Sequence, residues 1–191
     1  MEANIQSILE AAITHGIDIA GRRIFLHGDV AEESIALVVR GLYLMSDLDA
    51  GAPVELFVTS YGGTLDDAFA LHDVTRTIKC PVGTVALGKC MSAAPLLVAC
   101  GAPGERWATP NTTFMLHDAS LDEVEGNPQQ VEQEGRLTRE MMGRYAGLLG
   151  KYTKKPKRFW RSIFDKKVDR YFTATEALEW GLIDSIWEEK S

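Results

Sequence analysis

Gly88-Lys89-Cys90-Met91-Ser92-Ala93-Ala94-Pro95 is the stretch on which the reading of the 191-residue chain turns. Val82-Gly83-Thr84-Val85-Ala86-Leu87 before it reads as a buried strand, and Leu96-Leu97-Val98-Ala99-Cys100 after it as the wall of a helix. A serine at such a junction can present its hydroxyl outward, and the helix N-terminus beside it leaves backbone N–H groups unpaired. A nucleophile and an anion site are what acyl transfer needs most. Taken alone, Ser92 is more simply a helix N-cap. The rest of the chain has to separate the two readings.

Working outward, Val54-Glu55-Leu56-Phe57-Val58-Thr59-Ser60 is β-rich and runs into Tyr61-Gly62-Gly63, after which residues 64–78 carry helical spacing. A double glycine between strand and helix permits φ > 0 and close backbone approach; its N–H groups could face an anion or simply close a tight turn. Further upstream, residues 2–14 suit an amphipathic helix ended by Gly16, Arg23-Ile24-Phe25-Leu26 a strand, and residues 34–44 a helix containing Gly41. Downstream, Arg106-Trp107-Ala108 and residues 112–117, ending at His117, read as extended. The recurrence of strand, turn, helix and strand points to a repeated ββα plan rather than a simple Rossmann order.

Residues 118–130 are acidic and turn-rich, and a long helix from about 129 to 149 follows, with Leu137, Met141, Tyr145, Leu148 and Leu149 on one stripe. That stripe can pack on the chain's own core or on another subunit. Residues 151–161 are basic and read as a solvated face. Thr173 with Glu176 has the capping-box pattern of a final helix, which Gly181 ends.

Composition sets the outer limits. With 46% hydrophobic residues the chain supports one core, taken as a single domain over 1–191, with an N-terminal helical segment over 1–21. A net charge of -7 argues against nucleic acid as a partner, and no apolar run of about twenty residues suggests a membrane span. The N-terminus has neither a basic start nor an apolar secretion segment, so the cytoplasm is expected. Cys80, Cys90 and Cys100 lack a metal-ligand rhythm and read as small buried hydrophobes; no metal or cofactor is expected.

Several motifs in order resemble the ClpP family, the proteolytic subunit of the ATP-dependent Clp protease, within the crotonase-like fold. They are Ile24-Phe25-Leu26 with Gly28, Ser60-Tyr61-Gly62-Gly63, Gly88 to Ser92, Met115-Leu116-His117, and Asp169-Arg170-Tyr171-Phe172 leading to Glu176-Ala177 and Gly181-Leu182-Ile183-Asp184. The resemblance implies an α/β spiral of ββα units, with 118–150 as a protruding handle loop and helix. It also implies a serine endopeptidase acting on peptides or unfolded proteins inside an oligomeric chamber. Ser92 falls on the family nucleophile, His117 on the general base and Asp169 on the residue that orients it; Asp165 is the nearest competitor for that last role. The backbone N–H groups of Gly63 and Ala93 fall on the oxyanion hole. Lys89 also invites a Ser-Lys dyad, but it sits three residues before Ser92 in a turn.

The residue types agree with these implied roles. A serine hydroxyl needs a base, a neutral histidine can be that base near neutral pH, and a carboxylate can fix its tautomer. The resemblance further implies heptameric rings, stacked as a tetradecamer, and docking of a hexameric AAA+ unfoldase in a groove at Glu55, Phe57, Thr77 and Trp187. Glu55 and Thr77 make that groove more polar than the family pattern, and an unpaired Glu55 buried there would be costly. Weakened or altered docking is therefore expected. Two further departures are Tyr61, where the family has proline, and the acidic run after His117. The second leaves a catalytically latent ring subunit as the alternative.

Overall fold

The computed structural model describes residues 12–119 and 126–188. Most of the expected N-terminal helix and positions 120–125 of the acidic segment lie outside these residues. The strands are β1 (Ile17–Asp18), β2 (Arg23–His27), β3 (Val54–Ser60), β4 (Val82–Met91), β5 (Arg106–Ala108), β6 (Thr113–Leu116), β7 (Arg170–Thr173) and β8 (Ser185–Ile186). The helices are α1 (Glu32–Leu48), α2 (Leu65–Thr77), α3 (Ala94–Ala99), α4 (Pro128–Tyr152), α5 (Lys157–Phe164) and α6 (Ala174–Trp180). This is a mixed α/β fold with the strand–helix–strand recurrence expected of it.

The main sheet runs β1-β2-β3-β4-β5-β8, parallel from β2 onward, while β6 pairs with the end of β4 and β7 pairs antiparallel with β6. Parallel strands covered on both faces need near-continuous apolar sequence. Leu56, Val58, Val82, Val85 and Ala86 supply it and are buried. α1 buries Ile35, Val38, Leu42 and Met45. A Cβ added at Gly41 would meet Ile24 Cδ1 at 3.0 Å, so the glycine in the helix marks close approach to β2. The guanidinium of Arg22 closes the far end of α1 by donating to the carbonyls of Met45 and Asp49.

β4 departs from expectation in a way that matters for the site. It does not stop at Leu87 but continues to Met91. At Gly88 the backbone takes φ +65°, which a glycine adopts without steric cost. Thr84–Ala86 pair with β5, whereas Lys89–Met91 pair with β6. The strand thus changes partners within its own length, and its last residues run beside the strand that ends before His117.

α4 extends beyond the expected helix at both ends. Asn127 caps it by accepting from Gln130 N–H, and Gln130 Oε1 accepts from Asn127 N–H in return. Only its second half packs on the core, through Met142, Tyr145, Ala146 and Leu149. Val131 and Leu137 in the first half are exposed. α5 turns back with Trp160, Ile163 and Phe164 buried, so the basic run is a solvated face laid over an aromatic base. Thr173 and Glu176 form the expected capping box, and Gly181 ends α6 at φ +75°.

Candidate active site

The end of β4 delivers Ser92 in the left-handed region, at φ +56°, which is rare for a residue with a side chain. This conformation turns the hydroxyl off the strand. Ser92 N–H donates to Met115 O at 2.8 Å, so β6 grips the residue from one side. One residue beyond the end of β6, His117 places Nε2 at 2.7 Å from Ser92 Oγ. With the imidazole proton on Nδ1, the serine O–H donates to Nε2, the arrangement required for a base that takes that proton. The residues read as nucleophile and base are therefore together.

The double glycine lies against the serine. A Cβ at Gly62 would fall 2.4 Å from Ser92 Cβ, and one at Gly63 would fall 2.1 Å from Val30 O. Both residues have positive φ, +106° and +150°. Gly62 O accepts from Val30 N–H, and Val30 O accepts from Thr64 N–H, which ties the loop to the start of α1. Among the described residues, neither Gly63 N–H nor Ala93 N–H has a hydrogen-bond partner. Two unpaired donors beside a serine hydroxyl make an arrangement suited to an oxyanion.

Asp169 is brought near but not into contact. β6 and β7 pair up to Leu116↔Arg170, and His117 and Asp169 are the next residues beyond that last pair. The two share a small cavity of about 280 Å³ with Asp118, Ala119 and Lys167. No hydrogen bond joins them; the Asp169 carboxylate accepts from Tyr171 O–H at 3.4 Å. Asp165 is engaged elsewhere, in an i,i+4 ion pair with Arg161. Lys89 is also accounted for: its ammonium lies 3.5 Å from the centre of the Tyr61 ring. That contact draws it to the rim of the cleft.

The cleft itself has a volume of about 870 Å³ and is walled by Val30, Leu65, Met91, Met141 and Met142 around Ser92 and His117. An apolar wall with a few polar groups at its focus is the usual form of a substrate site. Tyr145 stands at its floor and was legible in the sequence only as one member of the helix stripe. Its hydroxyl donates to Ser92 O at 2.7 Å. A buried tyrosine must find a partner for its hydroxyl, and its place on the apolar stripe was the available signal.

The remaining residues fall as follows. Phe57 stacks on Phe25 at 4.9 Å and meets Trp187 edge-on at 6.1 Å, an aromatic group at the expected docking groove. Glu55 is not left unpaired there: Arg23 Nε reaches its carboxylate at 3.3 Å across the β2–β3 pair. Thr77 is spent within α2, donating to Asp73 O and Val74 O. The three cysteines are free and buried. Burial pushes the Cys100 thiol up to about 11 and Cys90 well above the usual range, so neither is a ready thiolate. Among the described residues no cluster of His, Cys, Asp or Glu could hold a metal ion, and no helix is long and apolar enough to cross a membrane.

Comparison with known proteins gives the family of the chain. The family described as Clp protease matches residues 14–190. The ATP-dependent Clp protease proteolytic subunit 1 of Protochlamydia amoebophila (strain UWE25) is 33% identical over 185 residues, covering 95% of this chain and 87% of its own. The protein of the same name from Chlamydia pneumoniae is 32% identical, covering 86% of each chain. That from Rhodococcus jostii (strain RHA1) is 30% identical, covering 87% of this chain and 75% of its own.

Proposed function

The chain belongs to the Clp protease family and is a ClpP-like peptidase, and from that premise we propose that it is a serine endopeptidase built on Ser92, His117 and Asp169. The observation that carries the reading is the 2.7 Å contact between Ser92 Oγ and His117 Nε2 beside two unpaired backbone donors. A peptide carbonyl seated in the cleft is attacked by Ser92 Oγ while Nε2 takes the hydroxyl proton. The carbonyl oxygen becomes an oxyanion held by Gly63 N–H and Ala93 N–H. The tetrahedral species collapses as His117 returns the proton to the leaving amine. Water, activated by the same imidazole, then releases the acyl group.

Asp169 completes the set by accepting from His117 Nδ1–H once its carboxylate turns from Tyr171 toward the imidazole. The register of β6 with β7 supports this role, because the last recorded pair is Leu116↔Arg170 and His117 and Asp169 are the next residues on either side. Substrates of this reading are peptides and unfolded proteins, cut in the cytoplasm inside a chamber made by heptameric rings stacked as a tetradecamer. The bare first half of α4, with Val131 and Leu137 exposed, supports a subunit contact there. An AAA+ unfoldase would dock on the Phe57–Trp187 aromatic group, more weakly than on an all-apolar groove because Glu55 brings an Arg23–Glu55 pair to it.

Cleavage of an unfolded protein by the purified assembly tests the proposal, with native mass measured on the same sample. Ser92→Ala and His117→Ala should abolish cleavage while the assembly keeps its mass. Cleavage that survives Ser92→Ala would refute it.

A further inference from the structure

We propose that Tyr145 is a positioning residue for the oxyanion donor at Ala93, acting through the Ser92–Ala93 peptide; this rests on the function proposed above. A trans peptide is planar, and its C=O and N–H point in opposite directions. No described peptide bond is cis. Fixing the direction of Ser92 O therefore fixes the direction of Ala93 N–H. The Tyr145 hydroxyl donates to Ser92 O at 2.7 Å, from the side away from the donor.

The peptide needs such an anchor. Ser92 sits at φ +56°, a conformation disfavoured for any residue with a Cβ. The preceding peptide is held by Ser92 N–H donating to Met115 O. Without Tyr145 the following peptide would have no such hold, since Ala93 N–H is also unpaired among the described residues. A hydrogen bond accepted by the carbonyl also polarises the peptide and makes its N–H a stronger donor.

Tyr145 is built to hold still. Its ring is fully buried and stacks on Phe164 at 5.4 Å between centres. Burial raises the pKa of the phenol well above its ordinary value, so the hydroxyl remains a donor at any working pH. The residue also belongs to α4, whose first half stands clear of the core. The helix proposed to meet another subunit thus reaches the nucleophile's own backbone through one side chain.

The test uses Tyr145→Phe, which keeps the ring and removes the donor, in the full chain. Four quantities are measured: kcat and KM on a peptide substrate, the affinity of a peptide boronate whose tetrahedral adduct occupies the oxyanion site, and Tm. The expected result is a fall of about ten- to a hundred-fold in kcat and in boronate affinity, with KM within about twofold of the parent. Replacement by 3-fluorotyrosine, which retains the hydroxyl, should restore both. If Tyr145→Phe does not assemble, Tyr145→Met fills the space without a donor and should show the same kcat and boronate losses. Parent-like kcat and boronate affinity in a donor-free variant would overturn the proposal and leave the peptidase reading standing. A parent protein that forms no adduct at Ser92 overturns both.

Discussion

Gly62→Ala tests whether the cleft depends on the double glycine lying flat against the nucleophile. The new Cβ would fall 2.4 Å from Ser92 Cβ, 2.7 Å from Met91 O and 3.0 Å from Ala93 N. These neighbours are backbone or Cβ atoms, so no flexible side chain can swing aside. Overpacking of this kind costs about 1–3 kcal/mol, and a Cβ at positive φ costs a further ~1–2 kcal/mol. The strain is relieved most directly by displacing Ser92, and a shift of about 1 Å in a reacting group lowers the rate by about a hundred-fold. Gly88→Ala is the matched control. Gly88 also has positive φ, +65°, but a Cβ there meets nothing within 4 Å. It should lose about 1–2 kcal/mol of stability with little change in reactivity. The assay is the rate of peptide hydrolysis together with a urea melt for each variant. If Gly62→Ala matches the parent in both, or if Gly88→Ala loses as much activity as Gly62→Ala, the reasoning fails.

Three further outcomes are expected. Asp169→Asn should lower kcat by about 10³–10⁴-fold by losing control of the His117 tautomer, whereas Asp165→Asn should stay near the parent; equal effects would contradict the assignment. Asp184 is opposed by burial but held below the ordinary carboxylate range by Arg106 and by the Gly104 and Arg106 amides. Because its folded pKa is depressed, its contribution is complete above its unfolded value of about 3.9 and is lost as pH falls through the folded value. Urea midpoints should therefore drop below pH 4 more steeply in the parent than in Asp184→Asn, which itself is destabilised by about 2–3 kcal/mol at pH 7. Glu55→Val should tighten binding of a conventional unfoldase by about tenfold while changing stability by less than about 1 kcal/mol, since the Arg23 pair is exposed. A titration showing no gain would contradict the polar-groove account.

The sequence carried the local chemistry further than the long-range pairing. Ser92 and His117 were legible because each sits at the end of a strand in an ordered set of motifs, and strand register then brings them together. From its residues the strand reads as Val82–Leu87, stopping before Gly88. The strand instead runs on through Gly88 to Met91 and exchanges β5 for β6 on the way, a change of partner that no local pattern announces. No partner for Glu55 was legible because Arg23 lies far earlier in the chain, and only the parallel β2–β3 register sets the two together. The long helix was legible from its spacing, but periodicity does not say how much of an apolar stripe is covered. The stripe leaves core and subunit packing both open for Leu137, which stands exposed. Tyr145 sat in the same stripe, and its hydroxyl acquires meaning only once Ser92 O is known to lie within reach.

The central claim is that the Ser92 hydroxyl attacks with the help of His117. Reaction of the purified protein with a fluorophosphonate, followed by mass mapping of the peptides, tests it most directly. The account predicts one adduct, on Ser92, that forms readily in the parent and is lost in His117→Ala. A folded, assembled protein that is never modified at Ser92, or one modified equally well without the imidazole, would contradict it.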